Sequence, residues 1–317
     1  MTSQILGILT LVVFSILSLF VGVIDMSPAD LFSDPQALSL IIQSRAPRLF
    51  AVLITGASLA MSGSIMQMLI RNRFVEPMTA GTGQGAALGI LLAVVIFPQA
   101  SVFTKMAIAS CTALTTSFGF LVIVRQLPAT QPLLVALVGM VYGGVIGAAV
   151  TFFAFQADLL QYIDVWMNGE FSGVLQGRYE LLWLAALVAA LSYLAADQFS
   201  IAGMGRTTSI NLGLNYGQVL IFGLVVVSIV SALTVVTVGM IHFVGSIVPN
   251  IVSRLYGDNQ RVTLPVTAAL GGGLVLVCDV LGRVLRYPFE IPVGTVFGIV
   301  GTVVFLWLLY RPKLNAH

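Results

Sequence analysis

The sequence predicts an all-α, polytopic membrane protein with about ten transmembrane helices, and three observations carry that prediction. Hydrophobic residues make up 58% of the 317 and charged residues only 8%, against roughly 45–50% and about 25% in soluble domains. Mean hydropathy is +1.05. Ionisable residues are spaced so that charge-free stretches of about 20 residues recur, the length a helix needs to cross hydrocarbon. A soluble globule is excluded, because so few charged side chains cannot cover its surface.

Taken in order, Ile5–Ile24 is the first span; it lacks the basic start and small-residue cleavage site of a signal peptide and is expected to remain as a helix. The polar connection Asp25–Arg48 reads as a loop or short surface helix. Leu49–Ile70 is second, Met78–Phe97 and Met106–Val124, split by Pro98 and Lys105, are third and fourth, and Leu133–Phe155 opens after Pro132 as the fifth. Leu181–Ala196 is a shorter sixth. Thr207–Ser253 is uncharged and too long for one helix; Gly239, Gly245 and Pro249 mark where a seventh span turns back into an eighth. Val262–Leu281 and Val293–Tyr310 complete ten. No stretch is long enough for a separate soluble domain, so residues 1–317 are expected to form one membrane domain.

Ten spans put both termini on one side of the membrane. If that side is the cytoplasm it receives Arg71, Arg73, Arg125, Arg206, Arg254, Arg261, Arg311 and Lys313, as the positive-inside bias requires. Arg45, Arg48, Arg178, Arg283 and Arg286 fall on the opposite side and run against the bias. Gly81, Gly85 and Gly89 share a helical face, as do Gly139, Gly143 and Gly147, which suits close helix packing. For the first set a path-lining role competes, because Pro77 and Gly81–Gly85 disturb the helix start and expose backbone.

Several chemistries are excluded. No glycine-rich loop ends in lysine, so the chain carries no phosphate-binding motif of an ATPase. His242 and His317 stand far apart without carboxylates or cysteines beside them in sequence, and Cys111 and Cys278 lie in apolar segments, so neither a metal site nor a catalytic constellation is expected. His242 reads as a capped or packed histidine. A net charge of +2 does not suggest nucleic acid. The spans are nearly bare of the carboxylates that ion-coupled carriers use, and Asp279 has Arg283 one turn later as an internal ion-pair partner. A transporter without coupling groups must draw energy from a partner, which points to an ATP-driven assembly; an ion-coupled secondary carrier is the rival class.

Three blocks then carry a resemblance. The first is Arg45-Ala46-Pro47-Arg48, Gly56-Ala57, Ser62-Gly63, Gln67 and Arg71 through Pro77; the second runs from Gly239 to Gly245 and on through Pro249, Arg254, Gly257-Asp258, Arg261 and Leu264-Pro265; the third is Asp279, Arg283, Glu290 and Pro292-Val293-Gly294. Their order and spacing resemble the FecCD-type permeases of bacterial ABC importers for iron chelates and cobalamin. The resemblance implies the type II ABC importer permease fold in the bacterial inner membrane, with both termini cytoplasmic and lipid around it. It also implies a second permease subunit, two ATP-binding subunits carrying ATP and Mg, and an extracytoplasmic siderophore-binding protein; this chain would bind no cofactor or metal and perform no catalysis.

It assigns roles to residues as well. Arg45, Arg48 and Arg283 match the arginines that meet acidic groups of the binding protein, where guanidinium offers bidentate pairing and steering; snorkelling at the interface is the competing reading. Asn72 and Phe74 match the cytoplasmic-side gate, although Asn72-Arg73-Phe74 stands where most members have Asn-Pro-Leu, and Phe74 can equally be helix packing. Gly205, Arg206, Leu212 and Gly213 match the loop, about residues 198–216, that engages the ATPase, with Arg206 replacing the usual acid. Pro249-Asn250 in place of Pro-His, together with Phe74-Val75-Glu76-Pro77, is similar to the branch importing catecholate or mixed siderophores, often as a heterodimer. Cobalamin, haem and hydroxamate chelates stay open.

Overall fold

The computed structural model describes residues 2–22, 35–73, 75–127 and 132–310, and among them every regular element is helical, apart from one isolated bridge between Asn168 and Met240. Helix α1 covers Thr2–Ser18 and α2 Pro35–Leu40; a wide turn, Ile41–Arg45, leads without interruption into α3, Ala46–Ile70. A tight turn at Pro77–Ala80 precedes α4, Thr82–Ile96, which is followed by α5, Val102–Gln126, α6, Pro132–Gln156, and the short α7, Leu160–Met167. Next come α8, Glu180–Ser192, α9, Ala196–Gly203, α10, Arg206–Asn211, and α11, Tyr216–Val238. Helices α12, Val244–Tyr256, α13, Gln260–Val284, and α14, Val293–Tyr310, complete the fold.

The ten sequence-read spans fall on α1, α3, α4, α5, α6, α8 continuing into α9, α11, α12, α13 and α14. Among the described residues six helical stretches are both long and apolar enough to cross a membrane, and Leu9–Ser18, Thr82–Ile96 and Val293–Leu308 are shorter apolar ones. The eighth span differs from its sequence reading. Gly239 does end α11, with φ +79, but Gly245 and Pro249 lie inside α12 instead of at the turn. At about 1.5 Å per residue the 13 residues of α12 reach only about 20 Å, short of the roughly 30 Å of a hydrocarbon core.

Helices α3 and α11 form the centre, each with 72% of its apolar window buried, whereas α6 has 22% and lies at the rim. Close approach explains the centre. Gly56 of α3 faces Gly271 of α13, and Gly63 faces Gly245 of α12, backbone against backbone; a methyl group on either α3 glycine would collide with the opposing carbonyl. The predicted glycine faces of α4 and α6 are packing surfaces too. Gly85 and Gly89 meet Thr116, Ala109 and Thr112 of α5, and Gly143 and Gly147 meet Gln84.

Two prolines sit inside helices, and each frees a carbonyl one turn back because proline has no N–H to offer it. Both carbonyls are answered from neighbouring segments. Pro249 releases Gly245, whose oxygen accepts from Gln67 Nε2 at 3.2 Å; Pro265 releases Arg261, whose oxygen accepts from the Tyr193 hydroxyl at 3.2 Å. The Gln67 bond is buried, where an unpaired carbonyl would cost several kcal/mol, whereas the Tyr193 bond lies at an exposed end of its helix.

Candidate functional site

At the N-terminal end of α3 the arginines that break the positive-inside bias converge. Arg48 donates to Asp279 Oδ1 from Nη2 at 2.8 Å and to Glu290 Oε2 from Nη1 at 2.8 Å. Arg283 meets the other Asp279 oxygen at 2.7 Å and donates to the carbonyls of Ser18 and Val21 at 3.0 and 2.6 Å. Arg45 donates to the Leu19 carbonyl at 2.7 Å. One cluster thus ties α1, α3, α13 and the approach to α14, and the Asp279–Arg283 pair read from the sequence is its innermost contact. The side chains of Asp279 and Arg283 are 1% and 7% exposed. Arg48 is also largely buried, so of the three predicted docking arginines Arg45 stands furthest out. The contact that spacing could not announce is Arg48–Glu290, because its partners lie on opposite sides of nearly the whole chain.

The opposite end of α3 closes differently. Arg71 caps the helix in the left-handed region, φ 56, and the amides of Arg71 and Asn72 both donate to the Gln67 carbonyl. Arg73 reaches Asp258 Oδ2 at 2.9 Å and Ser253 Oγ at 3.0 Å, and Ser253 in turn bonds Asp258. Asn250 donates to the carbonyls of Arg73 and Ser246, each at 2.7 Å. The Asn250 that replaces the usual histidine therefore holds the segment leaving α3. Of the predicted gate, Asn72 begins this segment, and Phe74 lies outside the described residues. Beneath it is a polar cavity of about 210 Å³, lined among others by Ser64, Gln67, Arg71, Gln260 and Thr267.

The predicted coupling residues gather at the same end. Gly205 initiates α10 with φ +104, and Ser209 Oγ, buried, donates to the carbonyls of Gly205 and Ile201 at 2.8 and 2.9 Å. A side chain at 205 would be strained in that conformation and would stand 3.1 Å from the Arg71 guanidinium. Gly213, φ +80, turns the chain toward α11. Arg206 is exposed, as are Met204, Ile210 and Leu212 at 60%, 53% and 61%. Three apolar side chains thus project from a compact loop whose root is held by Ser209.

Between the ends, the link Arg73–Ala80 and the connection Gly239–Phe243 meet. A Cβ on Gly245, at the start of α12, would touch both Pro77 and the carbonyl of Leu59, a residue halfway along α3. Glu76 accepts the Phe243 amide at 2.7 Å. Its other oxygen stands 3.5 Å from His242 Nδ1. The sequence reading left His242 without a carboxylate; Glu76 was missed because it is distant in the chain. Met240 N donates to the Met167 carbonyl at 3.0 Å and Gly294 N to the Gly169 carbonyl at 2.7 Å, so α7 and α14 are stitched to the same break. Among the described residues no group of three or more histidines, cysteines and acids could hold a metal.

Residues 10–311 match the FecCD transport family. The chain is 43% identical to the petrobactin import system permease protein of Bacillus subtilis (strain 168), covering 96% of this chain and 97% of that one. It is 41% identical to the ferric-anguibactin transport system permease protein of Vibrio anguillarum (strain ATCC 68554 / 775), over 93% and 94%, and 33% identical to a vitamin B12 import system permease protein of Yersinia enterocolitica, over 97% and 92%. A solved metal-chelate type ABC transporter in an inward-facing conformation superposes with a TM-score of 0.85 at 25% identity, over 96% of this chain and 98% of that one.

Proposed function

Because this chain belongs to the FecCD transport family, we propose that it is the permease subunit of an ABC importer that carries ferric siderophores of catecholate or mixed type across the bacterial inner membrane by alternating access. The observation that carries the cargo class is its kinship, over nearly its whole length, with permeases named for petrobactin and anguibactin import. Cobalamin is the second reading, favoured by the more distant vitamin B12 permeases. The chain is a transport subunit, and ATP with Mg belongs to the partner ATPases.

The end bearing Arg71, Arg73, Arg206, Arg254 and Arg261 faces the cytoplasm in this reading, with both termini on that side. The loop around Gly205, Arg206, Leu212 and Gly213 takes the push of the ATPase pair, its exposed Met204, Ile210 and Leu212 seated in the ATPase and its root held by Ser209. Asn72, and by the family resemblance Phe74, close the path. At the far end the binding protein docks through Arg45, Arg48 and Arg283. Arg45 lies at the edge of the cluster, and an incoming carboxylate competes with Glu290 for Arg48.

Purifying the tagged chain in mild detergent from its native host and identifying its companions by mass spectrometry tests this. An ATPase with a second, related permease is the expected result and establishes the heterodimer; an ATPase alone makes the importer a homodimer. Recovery of the chain alone, from vesicles whose uptake follows an ion gradient, would replace the reading with a secondary carrier.

A further inference from the structure

The break between α11 and α12 holds an arrangement that the family assignment does not use. Irregular backbone at membrane depth survives only where protein buries it or where it lines a wet cavity. Here two irregular segments meet opposite the middle of α3, and one carboxylate serves both: Glu76, 8% exposed, accepts the amide of Phe243, whose φ of +72 makes the corner into α12. With that oxygen occupied, the other faces His242 Nδ1 at 3.5 Å. The acid is buried and the imidazole is not, for the His242 side chain is 51% exposed. A carboxylate behind one ring nitrogen favours a proton there and leaves the other nitrogen for a second partner.

A half-exposed imidazole at this depth does not face acyl chains, because ionisable groups there turn to the bundle interior or to a water-filled passage. Nearby backbone supports the passage. The same break is joined to α14 through Gly169 and Gly294, and one turn along the same face of α14 Gly298 has nothing within 4 Å of its Cβ position. Nothing in this geometry resembles a hydrolytic site, which would need a nucleophile within reach.

We propose that His242, held by Glu76, is a specificity-determining contact of the translocation path, hydrogen-bonding through Nε2 to the oxygen-rich shell of the ferric chelate as it passes the middle of the membrane. The inference rests on the importer reading above, and adds to it a residue that touches the cargo. Glu76 is a positioning residue. A polar contact at this point favours chelates with accessible oxygens over cargo that presents apolar surface.

The test uses the whole complex in proteoliposomes, loaded with a radiolabelled ferric tricatecholate on its binding protein. Losing one hydrogen bond of about 1 kcal/mol or slightly more lowers maximal uptake in H242A about five- to tenfold. The half-saturating concentration of binding protein stays within about twofold in the same variant, because docking lies at the other end of α3. H242Q recovers most of the loss, which a purely structural role would not produce, and E76Q falls between. In parallel, H242C on a Cys111→Ser, Cys278→Ser background reacts with a water-soluble thiol reagent in at least one nucleotide state. Absence of that reaction in every state, with the ATPase still co-purifying, overturns the path location. Reaction with wild-type uptake in H242A overturns the cargo contact. A wild-type complex that accumulates cobalamin and no ferric chelate overturns the importer's cargo reading, while the thiol reaction still reports whether residue 242 lines the path.

Discussion

The two ends of α3 solve the same problem, arginines at a membrane surface, in opposite ways. At the Arg48 end two guanidiniums and two carboxylates are packed together, with Asp279 and Arg283 almost fully enclosed. At the Arg73 end the pair with Asp258 has side chains 40% and 52% exposed, and much of the rigidity comes from neutral donors, Gln67 and Asn250, on backbone carbonyls. An enclosed charge network is stable only when complete, because each member removed leaves a desolvated charge behind. An exposed pair is screened and tolerates loss. The first end is therefore built to hold still, and the second to be re-formed.

The sharpest way to break that contrast is Asp279→Ala, which leaves buried Arg283 with backbone carbonyls alone and Arg48 with Glu290 alone; we expect about 3–5 kcal/mol of destabilisation, read as loss of monodisperse protein in detergent and a lowered thermal midpoint. Next is the paired change Gly205→Val, Gly213→Val. Each position has positive φ, and a side chain at 205 meets Arg71, so co-purification of the ATPase should drop about tenfold or more while the helical bundle keeps its thermal midpoint. A smaller effect tests the docking role. Arg45→Glu should weaken binding-protein association severalfold at low salt and Glu290→Gln should tighten it, by roughly the worth of one exposed charge pair; equal affinity for both variants in a titration would remove Arg45 and Arg48 from docking. The smallest is Asp258→Asn, which should cost under about 1 kcal/mol and leave the thermal midpoint within a few degrees. A loss as large as that of Asp279→Ala would erase the distinction between the ends.

Much of the architecture was readable because hydrocarbon imposes a one-dimensional rule: intervals between charges become helices, and Pro132 opens α6 as its position suggests. The rule fails where helices do not cross fully. Gly245 reads as a turn in sequence, yet it serves helix contact with Gly63, and Pro249 stays helical because Gln67, far away in the chain, answers the carbonyl it frees. The arginines of the docking end stood out because they violate a charge bias, and Asp279–Arg283 because they lie one helical turn apart. Arg48–Glu290 and Glu76–His242 stayed hidden for one shared reason. Each joins segments that only tertiary packing brings together, and no local period links them.

The composition of the Arg48 cluster has a consequence for how a partner would find it. Two positive and two negative members sum to zero, so from further than about a Debye length, roughly 8–10 Å, Arg48, Asp279, Arg283 and Glu290 together look like a multipole whose field has already died away. Attraction from afar is left to charges outside the cluster, while the cluster acts only on a partner already in contact. Salt should then slow the encounter through the outlying charges and leave the lifetime of the docked state nearly untouched, so that arrival and residence answer to different residues.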